Sequence, residues 1–227
     1  MYKNKYKKAL TFSFDDGTIF DKRLIELFNK YGMKCTFNLN SGKMTHADNW
    51  VNKNVIISHL NRTEIKNLYD GHEIASHSLT HPFFDHLDYE TQLNEIKTDI
   101  ENLEYYFNTK IKGFALPYGC YNEDTLKAIK ECNLFYNRLA GTTMSFDKPK
   151  DLLKFSGTCH FHNPKIMELA KQFVELNPDE EKIFYIWGHS YELEVDNLWN
   201  EFEELLKYLA NRDDIYYCTN SEAFHIG

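Results

Sequence analysis

Short apolar runs alternate along the chain with stretches whose apolar residues recur every three or four positions. The runs predict strands at residues 9–14, 35–39, 73–76, 113–116, 135–137, 182–187 and 215–218, with 153–156 as a weaker eighth. Helical periodicity falls between them, at 22–31, 89–107, 122–131, 164–176 and 195–210, and over a short stretch at 63–68 with Thr63 as its N-cap. In the long segment 89–107 the residues Leu93, Ile96, Ile100, Leu103 and Phe107 make one stripe. Regular strand-helix alternation means parallel strands joined by right-handed crossovers. Seven or eight such units point to an α/β fold, a single-domain distorted (β/α) barrel of seven or eight parallel strands over residues 1–227, with an open doubly wound sheet as the alternative.

Composition narrows the function classes. With 26 Lys and Arg against 34 Asp and Glu the net charge is −8, and no basic face is visible to neutralise phosphates. Nucleic acid and anionic membrane surfaces are therefore not expected partners. The basic stretch before Ala9 runs directly into a strand, without the apolar core of a signal peptide, so a cytoplasmic protein is expected. The five cysteines are scattered without metal or redox spacing, which suits the same compartment. Tyr (15) and Phe (17) are abundant; most belong in a core, and some would serve as stacking platforms for sugars.

In β/α barrels the chemistry gathers where strands end. The first strand runs into Ser13-Phe14-Asp15-Asp16-Gly17. Adjacent carboxylates point in different directions, so one can bind a metal while the other handles protons. The third strand releases His77-Ser78-Leu79-Thr80-His81, two imidazoles spaced to converge on one ion. Together Asp16, His77 and His81 make a two-His, one-carboxylate set for a divalent metal ion. Zinc suits it best, and cobalt, manganese and nickel also fit. Asp15 is then placed as general base. Pro117-Tyr118-Gly119 forms a defined turn with exposed backbone donors, and His189, after an apolar strand, is a general acid for neutral pH. Each feature taken alone also has a plain reading as a surface turn, a solvated His or a core residue.

In this order the segments resemble the polysaccharide deacetylases of carbohydrate esterase family 4. Ser13 to Gly17 resembles the family's Thr-Phe-Asp-Asp-Gly, and His77 to His81 matches its His-Ser/Thr-x-x-His in full. Ala115-Leu116-Pro117-Tyr118 half matches Arg-x-Pro-Tyr, and Ile186-Trp187-Gly188-His189 is similar to the closing Leu-x-His. The resemblance implies Asp15 as base, Asp16, His77 and His81 as metal ligands, His189 as acid and the Tyr118 N–H at the oxyanion. Pro117 and Trp187 would line the substrate site.

Two features depart from that pattern. The third-motif Arg is Ala115, and no Asp-containing fourth motif is found. Arg138, after the fifth strand, could replace the Arg beside Asp15. Glu192 could hold the His189 imidazole and raise its pKa, and His160 could contact site or substrate, with His162 a weaker choice. The other histidines, His59 among them, read as structural or surface residues. The expected activity is hydrolysis of an N- or O-linked acetyl group from a sugar or oligosaccharide. The alternatives are amide hydrolysis on a non-sugar substrate and a non-catalytic carbohydrate-binding barrel.

Overall fold

Every side chain of β1 (Lys8–Asp15) is buried, as expected of a parallel strand covered on both faces. In the computed structural model, which describes residues 1–3 and 5–226, β1 is followed by α1 (Asp21–Lys30), β2 (Cys35–Leu39), β3 (Asn49–Asn52), β4 (Val55–Ser58) and β5 (Glu73–Ser76). Next come α2 (Tyr89–Phe107), β6 (Gly113–Ala115), α3 (Glu123–Glu131), β7 (Tyr136–Thr142), β8 (Phe155–Gly157), β9 (Cys159–His160) and α4 (Ile166–Glu175). The chain ends with β10 (Lys182–His189), α5 (Ser190–Val195), α6 (Trp199–Leu209), β11 (Ile215–Tyr217) and α7 (Asn220–Ala223).

The main sheet is parallel and ordered β8-β7-β6-β5-β2-β1-β10-β9. Its two ends are one stretch of chain. β8 pairs with β7, β9 pairs with β10, and Thr158 between them donates its N–H to Tyr185 O at 2.9 Å. The sheet thereby closes into a distorted barrel. β11 pairs with β1 only over Lys8 to Leu10, below the point where β2 takes over at Phe12.

Alternation along β1 sorts the side chains. Phe12 and Phe14 pack outward against Phe28 of α1 and Phe202 of α6. Thr11, Ser13 and Asp15 face the lumen, which is polar. Thr11 donates to Asn220 Oδ1 (2.9 Å), Asn220 donates to the Tyr185 hydroxyl (2.7 Å), and Asn38 donates to Ser13 Oγ (2.9 Å). Asn220 belongs to α7, so this helix gives the buried hydroxyls of Thr11, Ser13 and Tyr185 a hydrogen-bond partner.

The structure differs from the expectations at four points. Residues 63–68 form turns, because Thr63 turns its N–H and hydroxyl to Asn61 Oδ1 and Asn67 takes a left-handed φ of 63°. The helix expected at 195–210 is two, α5 and α6, separated where Asn197 has φ 54°. Strands β3 and β4, which pair as an antiparallel hairpin, were not anticipated. Arg138 lies within β7, which is longer than expected, rather than after it.

Candidate active site

The ends of β1, β5, β6, β7 and β10 meet around a cavity of about 410 Å³. Asp15, Asp16, His77, His81, Tyr118, Arg138, Trp187 and His189 all line it. The backbone that delivers them is strained. Asp16 (φ 78°), Ser78 (68°), His81 (61°) and Tyr118 (57°) occupy the left-handed region, at about 1–2 kcal/mol each. Gly119 (φ 71°) completes the turn after Tyr118, where a Cβ would come within 2.8 Å of Ala140 N.

Asp16 Oδ1 lies 3.6 Å from His77 Nε2 and 3.7 Å from His81 Nε2. His77 Nδ1 sits 2.6 Å from Ala115 O; donating a proton there leaves the lone pair on Nε2, toward Asp16. Burial, helped by His77, pushes the His81 pKa down to about 4, so that ring is neutral at ordinary pH. The His77 Nε2 lone pair, the neutral His81 ring and one carboxylate oxygen fit a divalent ion that keeps open positions.

Asp15 is buried beside this group. Arg138 Nη2 reaches its two oxygens at 2.6 and 2.5 Å, and Asn38 Nδ2 donates to Oδ1 at 2.8 Å. Burial alone would raise the Asp15 pKa, but Arg138, helped by His77 and His189, offsets it and holds the carboxyl down to about 2. The Arg138 guanidinium lies 4.7 Å from the ring of Trp187, whose indole N–H donates to Gly141 O. Trp187 thus supports the Arg as well as lining the cavity.

His189 Nε2 stands 3.8 Å from Asp15 Oδ2. Its Nδ1 lies 3.2 Å from Glu192 Oε2, a charge contact off the hydrogen-bond axis. Burial acts to lower the His189 pKa, but Glu192 and the two aspartates raise it to about 9. The same Glu192 oxygen lies 3.1 Å from His160 Nε2, and its pKa sits well below the carboxylate range because both imidazoles offset the effect of burial.

Not every expected residue reaches the cavity wall. Pro117 is buried beneath the Tyr118 turn, and His160 and Glu192 stand behind His189. Asn38 was missed: it carries no motif, and only the β1–β2 register, Asp15 opposite Asn38, reveals its part. The hairpin brings in Trp50, and Lys43, Tyr191 and His59 complete the wall. His59 is buried there, and burial lowers its pKa.

The polysaccharide deacetylase family profile matches residues 2–136, more than half of the chain. No curated protein sequence matches it. Among solved structures, the Streptococcus pyogenes deacetylase PplD in complex with acetate is 22% identical, with a TM-score of 0.51. That match covers 57% of this chain and only 55% of PplD, so the chain spans about half of that relative. A Clostridium thermocellum family 4 acetyl xylan esterase in complex with a cobalt ion is 15% identical over 96% of this chain and 91% of its own, with a TM-score of 0.59. BA3943 of Bacillus anthracis, described as a family 4 pseudoenzyme, is 16% identical over 98% of this chain and 66% of its own, with a TM-score of 0.56. The profile match and the shared barrel, set against Ala115 at the third-motif Arg, place this chain in the polysaccharide deacetylase family, carbohydrate esterase family 4, as a divergent member.

Proposed function

We propose that this protein hydrolyses an acetyl group from a sugar or oligosaccharide. The observation that supports this most directly is the placement of Asp15 and His189, 3.8 Å apart, beside the converging Asp16, His77 and His81. A divalent ion held by those three residues, zinc by preference, would supply Lewis acidity to water and to the acyl oxygen, so that a weak base suffices. Asp15 accepts a proton as water oxygen bonds to the acyl carbon. Arg138 and Asn38 keep its carboxylate ionised and fixed in direction. The Tyr118 N–H stabilises the oxyanion that forms. His189, charged at neutral pH, gives its proton to the leaving nitrogen or oxygen as that bond to the acyl carbon breaks, and acetate departs. The aromatic wall of Trp50, Trp187, Tyr118 and Tyr191 suits a sugar ring.

Acetate release from N- and O-acetylated sugars, measured with added zinc and after chelation, tests this reading. Metal-dependent release supports it. Release from acetylated non-sugar amides alone would leave the chemistry and change the substrate. The pseudoenzyme among the structural relatives favours a second reading, a barrel that binds sugars without turnover, and sugar binding with no acetate release in any condition would select it.

A further inference from the structure

His160 does not line the cavity; its imidazole sits in a cluster with Glu192 and His189, and the reaction above gives it no part. Its Nε2 lies 3.1 Å from Glu192 Oε2, the oxygen that also stands 3.2 Å from His189 Nδ1 and accepts the His189 backbone N–H at 3.3 Å. One carboxylate oxygen therefore sits between two imidazoles. The backbone holds them there: His160 is the register partner of Trp187 across β9 and β10, two residues before His189. Gly188 makes room for this, since a Cβ at that position would come within 2.2 Å of Phe161 and 3.2 Å of His160 Nε2.

The tautomer of His160 can be read from its other nitrogen. The His162 N–H donates to His160 Nδ1 at 3.1 Å, so Nδ1 is an acceptor and the proton resides on Nε2, the nitrogen 3.1 Å from Glu192 Oε2. This decides between two uses of the cluster. His160, His189 and Glu192 lie close enough for a metal ion, but His160 Nε2 carries a proton rather than a free lone pair. The cluster is a support built on close charge contacts to one carboxylate oxygen. We propose that His160 is a positioning residue: through Glu192 it holds the His189 imidazole with Nε2 directed at Asp15.

The inference rests on the acetyl-hydrolase reading, with His189 as the acid. His160 presents an N–H to Glu192 Oε2 at 3.1 Å and needs no charge to do so, so a side-chain amide can stand in for it. Without that contact Glu192 is less constrained, and so is the His189 ring 3.2 Å from it.

The test compares wild type, His160→Ala and His160→Gln in metal-loaded protein, by steady-state acetate release and by 15N NMR of the His189 ring. The expected result is a fall of about 10- to 100-fold in kcat for His160→Ala with KM within about twofold, on the scale of losing an outer-shell partner. His160→Gln should recover most of it. The His189 ring nitrogen signals should shift in the Ala variant and return in the Gln variant. Unchanged kcat and unchanged His189 signals in His160→Ala would overturn the proposal. So would a loss that appears in KM alone, which would make His160 a substrate contact. If wild type itself releases no acetate, the acetyl-hydrolase reading fails, while the NMR comparison still decides whether His160 orients His189.

Discussion

Ala115 and Arg138 are register partners on the adjacent strands β6 and β7. The family pattern puts its arginine where this chain has Ala115, and the guanidinium beside Asp15 comes instead from the neighbouring strand. Side chains two apart on a strand share a face, and Gly113, two residues before Ala115, is filled by the ring of Tyr136, two before Arg138. Both positions therefore look into the lumen. The small Ala115 leaves the space that the larger side chain from β7 needs.

Arg138→Ala removes the cation that keeps Asp15 ionised and leaves a buried carboxylate unpaired. We expect kcat to fall by about 100-fold or more and stability by about 3–5 kcal/mol, read by acetate release and urea unfolding. Combining it with Ala115→Arg should return part of the lost kcat. A double variant no better than Arg138→Ala would show that the two positions are not interchangeable.

Metal content separates the ligands from the base. His77→Ala should reduce bound zinc from about one ion per chain to none, with turnover lost, because an imidazole and its hydrogen bond to Ala115 O disappear together. Asp15→Asn should retain the ion and lose turnover. Elemental analysis beside acetate release checks both, and an Asp15→Asn protein with full turnover would remove Asp15 as base.

The alkaline limb of the kcat–pH profile should report His189. Its pKa is raised to about 9, so the protonated acid persists through neutral pH and activity declines as pH rises through that value. Glu192→Gln takes away a negative charge and should move the limb toward neutral pH, whereas a limb that stays near 9 would separate His189 from Glu192.

Asp21, buried at the start of α1, accepts hydrogen bonds from Ser190 Oγ (2.5 Å) and Tyr69 (2.8 Å), and among the described residues it forms no ion pair. Burial raises its pKa from 3.8 to about 7. A folded-state pKa above the unfolded one means that its stabilising effect is complete below about pH 4 and fades as pH rises to about 7, by up to roughly 4 kcal/mol. Asp21→Asn should flatten that part of the stability curve, measured as urea midpoints between pH 4 and 8. An unaltered slope would assign it to other groups, Asp99 first among them, which burial raises to about 6.

The parts of this molecule that were legible in the sequence are those that depend on neighbours along the chain. Asp15, Asp16 and Gly17 follow one strand, and His77 and His81 follow another, so a strand-then-loop reading brings them to one barrel end. The apolar runs and helical stripes foretold the parallel barrel for the same reason. Only the tertiary structure decided the pairings across strands. The registers opposing Asp15 to Asn38 and Ala115 to Arg138 cannot be read from either segment alone, because a one-residue slip would turn each side chain to the other face. Glu192 could be assigned to His189 by proximity in sequence, but its contact with His160, 32 positions earlier in the numbering, exists because β9 closes the ring against β10. Barrel closure is a property of the whole chain and brings in the second imidazole, while the displaced arginine and the hairpin residue Trp50 reach the cavity wall through contacts distant in sequence.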